Sequence, residues 1–279
     1  MTRTHALHER FTLQGRVAVV TGASGALGSA LAHALGTAGA AVALVARRAD
    51  RLERHAGSLR ADGIDAVALP ADVLAAEQLR AVRDRAVARW GRVDVLVNAA
   101  GGNVAAATLD SDRDVADLPE DAFRQVVDLN LLGTWLPCQA FAGALVAGEP
   151  AGGAILNISS MAADRALTRV GGYAAAKAGV ESLTRWLAVE LARRHGSGLR
   201  VNALAPGFFL GEQNRDLLLD ADGAPTERGR AILAHTPAGR LGEPADLAGP
   251  AIWLCSPAAR FVTGAIIPVD GGFSAFGGI

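Results

Sequence analysis

Two residue types are almost missing from this chain: its 279 residues include one tyrosine, Tyr173, and one lysine, Lys177, so arginine carries every other fixed positive side-chain charge. Cysteine is scarce as well. Cys138 and Cys255 are too few for a disulfide framework, which points to a reducing compartment, the cytoplasm. Charge of one sign is not in excess: 27 Lys and Arg against 28 Asp and Glu leave a net charge of -1, and nothing electrostatic calls for nucleic acid or a membrane surface as partner. No apolar run approaches the ~18 continuous residues of a membrane span, and the opening MTRTHALHERFTLQGR lacks a signal-peptide core. Six histidines, His5, His8, His33, His55, His195 and His235, fall without metal-ligand spacing, so no metal is expected. These absences leave a globular chain of single-domain size that handles a small molecule.

What is present is a rhythm. Short apolar runs occur at 16–21 (RVAVVT), 41–46 (AVALVA), 65–69 (DAVAL), 93–98 (VDVLVN), 153–159 (GAILNIS), 199–204 (LRVNAL) and 265–270 (AIIPVD), separated by Ala- and Leu-rich stretches long enough for crossover helices. Runs apolar at nearly every position suit strands covered on both faces. The expected fold class is α/β, a doubly wound parallel sheet of about seven strands with helices on both faces, forming one domain over 11–279 after a loose arm at 1–10. The least regular region, about 207–240, reads as a loop over the substrate.

Directly after the first run comes TGASGALG (21–28), leading into a helical stretch. A glycine turn between strand and helix lets backbone N–H groups approach a pyrophosphate at the helix N-terminus, as in Rossmann-type folds. After the second run, where an acidic residue would bind the ribose of NAD, stand Arg47 and Arg48, which suit a 2′-phosphate; NADP(H) is therefore the expected cofactor and NAD(H) the alternative. The lone tyrosine and lysine lie four residues apart, the spacing that stacks side chains on one helix face. A tyrosine needs a neighbouring cation to exchange protons near neutral pH, and Lys177 supplies one.

These motifs together resemble the short-chain dehydrogenase/reductase family over residues 13–274. The turn resembles the family's TGxxxGxG, with Gly22 and Gly28 kept, Ala26 at the middle glycine, and Ser24, Gly25 and Leu27 between. Asp72 and Val73 resemble its adenine contact, and Asn98, Ala99, Ala100 and Gly101 its NNAG element. The resemblance makes Tyr173 the acid/base, Lys177 its partner, Ser160 the serine that holds the substrate oxygen, and Asn130 the asparagine of a proton relay. Pro206, Gly207 and Phe209 match the segment under the nicotinamide, with Gly211 where a threonine commonly follows. The helices bearing Trp135 and Trp186 form a subunit interface in the family, which implies a homo-oligomer, a tetramer.

Stretches at 99–103, 157–177, 205–218, 235–247 and 269–278 are similar to one branch, the D-mannonate oxidoreductases (fructuronate reductases), although Val104 replaces a histidine of that branch. A sugar acid offers a carboxylate and hydroxyls, for which Arg169, Arg215, Asn103, Gln213 and Asn214 are the candidate contacts. Two other readings stand beside it: a ketoreductase of another substrate such as a 3-oxoacyl thioester, and a dinucleotide-binding sensor or scaffold without turnover.

Overall fold

The structure is a computed structural model describing residues 9–110, 113–147, 152–211 and 214–278. Seven strands, β1 (Val17–Thr21), β2 (Ala41–Val45), β3 (Ala66–Ala68), β4 (Val95–Asn98), β5 (Gly153–Ile158), β6 (Leu199–Pro206) and β7 (Ile266–Val269), form one sheet in the order β3-β2-β1-β4-β5-β6-β7. Every pairing is parallel. The helices in chain order are α1 (Ala26–Thr37), α2 (Ala49–Ala61), α3 (Ala76–Trp90), α4 (Glu120–Val127), α5 (Gly133–Ala147), α6 (Gly171–His195), α7 (Arg215–Leu218), α8 (Glu227–Ala234) and α9 (Ala248–Cys255).

Alternate residues of a strand face opposite sides, and both sides here are apolar. Ala18, Val20, Val42 and Leu44 join Leu31 and Leu35 of α1, Leu52 of α2 and Leu254 of α9 in one core layer. Val19, Ala43, Val45 and Leu96 point the other way, onto Val82 of α3, Phe141 and Leu145 of α5 and Leu187 of α6. Each leucine buried in these layers contributes ~1.5–3 kcal/mol, which fixes the strand register because a one-residue slip would exchange the two faces.

All seven strands lie where the apolar runs place them, and β6 extends further, to Pro206, because Ala205 and Pro206 pair with Pro268 and Val269. Residues 9–11 are helical backbone; the remainder of the expected arm lies outside the described residues. The 207–240 region carries the short helices α7 and α8, joined by a turn with a bridge between Leu219 and Pro225. One helical run, Glu120–Ala147, is long and apolar enough to cross a membrane by length and composition. Here it is a core helix, with Phe141 and Leu145 against the sheet and Asn130 in its interior. The strand order reverses between β1 and β4, and a parallel sheet offers its ligand crevice above such a switch point.

Candidate active site

β1 ends in the glycine turn. Gly22 has φ +66°, and a Cβ there would stand 2.5 Å from the Ala99 carbonyl oxygen, so a side chain is excluded both by conformation and by the closeness of the β4 end. Thr21 Oγ1 accepts from the N–H groups of Ala99 (3.2 Å) and Ala100 (3.3 Å), tying the turn to the 98–101 segment. Helix α1 begins at Ala26 with Gly25 as N-cap, no side-chain cap and no acidic residue in its first turn. Its first N–H groups therefore have neither an intrahelical acceptor nor a competing carboxylate, which suits a pyrophosphate. Ser24 is half-buried, Gly25 and Ala26 are exposed, Leu27 is half-buried, and Gly28 is buried against the Gly22 carbonyl.

Arg47 and Arg48 lie at the end of β2, both exposed at the start of α2. Asp50, the nearby acid, pairs with Arg54 at 3.3 Å. A residue the sequence pattern did not single out also reaches the turn: His55 of α2 places Nδ1 2.9 Å from the Ala23 carbonyl oxygen. Val73 is buried, and the Asp72 carboxylate accepts the Leu74 N–H at 2.9 Å.

Two residues expected at the cofactor turn their side chains elsewhere. Asn98 is buried and donates from Nδ2 to Asn157 Oδ1 (2.9 Å) and Cys138 Sγ (3.2 Å), so it clamps β4 to β5 beneath the crevice. Phe209 is buried in the core with its ring over Gly242, leaving its backbone to border the site. Gly207, by contrast, packs so closely on Asp270 that a Cβ would stand 2.7 Å from its Cα.

The four polar residues of the expected catalytic set come together at the ends of β4 and β5. Ser160 follows β5, is buried, and lies close enough to Tyr173 to favour its ionised form. Its Oγ also accepts the Ala162 N–H at 3.1 Å, which fixes the rotamer. Lys177 lies one turn along α6 from Tyr173, with Nζ 5.6 Å from the centre of the phenol ring and 2.7 Å from the Ile158 carbonyl oxygen, to which it donates. Asn130 is fully buried: Oδ1 accepts the Gly102 N–H (3.0 Å), and Nδ2 donates to the carbonyls of Gly102 and Val126 (both 2.8 Å). A Cβ on Gly101 would lie 2.7 Å from Asn130 Oδ1 and 3.2 Å from Lys177 Nζ, so both groups converge on that glycine.

Asn130 reaches this position because residues Asp128–Leu132 form a π-helical turn between α4 and α5. A π-turn widens the helix by one residue per turn and frees local backbone groups, a feature that recurs at functional sites. Helical periodicity alone does not reveal it. The buried cluster also shifts its own protonation. Burial pushes the Tyr173 hydroxyl above its usual pKa, with the neighbouring Ser160 hydroxyl opposing, and burial lowers Lys177 to about 8. The Lys177 ammonium sits beside the phenol ring and bonds the Ile158 carbonyl rather than the Tyr173 oxygen.

The substrate side is built differently. Arg169 is the non-glycine residue with positive φ (79°) among those described. Its Nε donates to the Leu109 carbonyl at 2.6 Å, and its own carbonyl accepts the Leu109 N–H at 2.9 Å, so it staples the loop after β4 to the segment before Tyr173. Asn103 donates to Thr108 Oγ1 at 2.6 Å. Asn214 folds its amide onto its own loop, accepting from Gly211 N–H and donating to the Phe209 carbonyl, both at 2.8 Å; this is loop architecture rather than a free ligand contact. Arg215, at the start of α7, is exposed. Gln213 lies outside the described residues.

A glycine turn at a switch point, with buried Ser160, Lys177 and Asn130 and half-buried Tyr173 gathered at its side, defines the class: a nicotinamide-dinucleotide-dependent oxidoreductase. Comparison with known proteins agrees. A family model described as enoyl-(acyl carrier protein) reductase matches residues 22–274. UxuB of Bacillus subtilis, an oxidoreductase of uncharacterised activity, is 41% identical over 98% of this chain and 99% of its own. The 2-dehydro-3-deoxy-D-gluconate 5-dehydrogenase of Escherichia coli is 36% identical over 95% of this chain and 98% of its own. Among solved structures, a Haemophilus influenza protein provisionally named D-mannonate oxidoreductase, with bound NAD, aligns at TM-score 0.89 with 37% identity, covering 98% of this chain and all of the other. A gluconate 5-dehydrogenase of Burkholderia cenocepacia, in complex with NADP and tartrate, aligns at 0.85 with 34% identity, covering 97% and 99%. The chain belongs to the short-chain dehydrogenase/reductase family and is an NAD(P)-dependent oxidoreductase acting on CH–OH donors.

Proposed function

We propose that the protein interconverts the ketone and secondary alcohol of a sugar acid, with D-fructuronate and D-mannonate as the pair, using NADP(H) in preference to NAD(H). The observation that carries the chemistry is the placing of Lys177 Nζ 5.6 Å from the centre of the Tyr173 ring and, with Asn130 Oδ1, against Gly101. When bound, the nicotinamide exchanges hydride with the carbonyl carbon. Ser160 holds the carbonyl oxygen, and Tyr173 gives that oxygen its proton in reduction and removes it in oxidation. Lys177 takes part in resetting the phenol proton, and Asn130 holds the Gly101–Gly102 backbone beside it.

The sugar-acid assignment rests on relatives named for gluconate-type and mannonate substrates. NADP preference rests on exposed Arg47 and Arg48 with Asp50 engaged by Arg54; a structural relative holding NAD makes NAD(H) the second cofactor. The reading also places the enzyme in the cytoplasm as a homotetramer. Its apolar surface supports assembly: Leu132 (41% exposed), Trp186 (52%) and Val189 (59%) share the α5–α6 region, where Trp135 and Trp186 lie 6.2 Å apart.

The acyl-carrier name of the matching family model favours one competing substrate, a 3-oxoacyl thioester. Comparing kcat/KM for D-fructuronate and a 3-oxoacyl thioester decides between them. The proposal expects fructuronate to be at least ~10-fold better, a difference of ~1.4 kcal/mol in transition-state binding. A reversed ratio removes the sugar-acid reading, and cofactor binding without turnover on either would favour a sensor.

A further inference from the structure

The edge of the sheet opposite the catalytic cluster contains a cavity of about 170 Å³, lined by residues at the starts of β1, β4, β5 and β6 and by the segment after α9. Three of its lining side chains are guanidinium groups, Arg16, Arg200 and Arg260, against a single carboxylate, Asp94. Asp94 is already engaged: it accepts from Arg16 (2.9 Å), from Arg92, and from the Val17 N–H (2.9 Å). It has little left to offer a further cation.

Arg200 is 7% exposed and donates to two carbonyl oxygens at the end of α9, Leu254 (2.7 Å) and Ser256 (3.2 Å). Carbonyls solvate a guanidinium without cancelling its charge, and the two bonds leave other N–H donors of the group available. Burial disfavours the charged form of Arg200, opposed by the neighbouring Cys255 and reinforced by the nearby Arg16 charge. Arg260, exposed at the margin, brings a third positive charge. Backbone leaves the space open: Gly152 has φ +126°, and a Cβ on it would stand 2.7 Å from the Gly198 carbonyl oxygen, so this wall bears no side chain.

We propose that this cavity is a second ligand site, which binds a small multiply charged oxyanion, a phosphate or a short dicarboxylate, through Arg16, Arg200 and Arg260. The anion supplies the negative charge that Asp94 does not extend to Arg200, and its oxygens match the planar donors of arginine. The site is distinct from the catalytic one, because the six residues of β5 separate them by about 20 Å. It does not depend on the identity of the carbonyl substrate.

Calorimetric titration of the full-length protein with inorganic phosphate and, separately, with succinate tests this, with saturating NADP⁺ to fill the nucleotide site and chloride to hold ionic strength constant. Because Arg200 supports the end of α9, the informative variant is Arg260→Glu at the exposed margin, with Arg47→Ala as the control on the nucleotide side. Saturable binding of either anion that weakens at least ~10-fold in Arg260→Glu and is unchanged in Arg47→Ala supports the site, and the anion that binds identifies its source. No saturable binding beyond the chloride reference, or binding indifferent to Arg260→Glu, overturns it.

Discussion

The catalytic cluster and the substrate side lie next to each other and are held by opposite means. In the cluster, polar side chains are bound to the sheet or to the backbone around it: Lys177 to Ile158, Asn130 to Gly102 and Val126, Ser160 to Ala162. On the substrate side, loop residues bond mainly to other loop residues, as Asn214 does to Phe209 and Gly211, Arg169 to Leu109, and Asn103 to Thr108. The first arrangement preorganises chemistry on rigid elements; the second shapes a rim that can differ between enzymes without moving the reacting groups. A shared reaction with varied substrates is the expected result.

The largest test of this contrast is Tyr173→Phe, which removes one hydroxyl and leaves the ring on α6. It is expected to lower kcat by ~10²–10⁴-fold while cofactor affinity, read by nucleotide fluorescence, stays within about twofold. Loss of cofactor binding in parallel would mean that Tyr173 is structural. On the cofactor side, Arg47→Ala is expected to raise KM for NADPH ~10-fold or more and to leave NADH nearly unchanged, since one charge-assisted hydrogen bond is worth about 1.5–3 kcal/mol. Equal changes for both nucleotides would remove Arg47 from 2′-phosphate recognition. On the rim, Arg215→Ala is expected to raise KM for the acid by about 5–10-fold with kcat retained; an unaltered KM would leave Arg215 as an exposed loop charge.

A smaller effect appears in stability. With Lys177 lowered to about 8 in the folded protein from an ordinary 10.5, the unfolded chain binds more protons between those values, so this group makes stability rise with pH from about 8 to 10.5. Lys177→Met removes a buried charge, so its melting temperature at pH 7 is expected to be a few degrees higher than that of the wild type, by ~3 °C, with the gap closing towards pH 10.5. A variant melting lower at pH 7 would mean that the Lys177–Ile158 bond outweighs desolvation.

The same contrast explains what could be read from the sequence. Seven apolar runs marked seven strands because both faces of the sheet are covered, and the isolation of Tyr173 and Lys177 in composition singled out the helix that carries both. The family resemblance pointed to Ser160 and Asn130. Residue spacing did not show the π-turn at Asp128–Leu132 that buries Asn130, since a one-residue widening leaves no periodic signature. It did not show the His55 contact to Ala23 either, because that depends on how α2 packs behind the glycine turn. The side-chain directions of Asn98, Phe209 and Asn214 were not legible either, because they are set by tertiary partners: Asn157, the core around Gly242, and the loop's own backbone.

The most direct measurement is the initial rate of reduced-nicotinamide absorbance loss with D-fructuronate, taken with NADPH and NADH in separate runs of the wild-type protein. The account predicts turnover that is faster at equal concentration with NADPH. Bound NADPH with no turnover, or turnover with NADH alone, would contradict it.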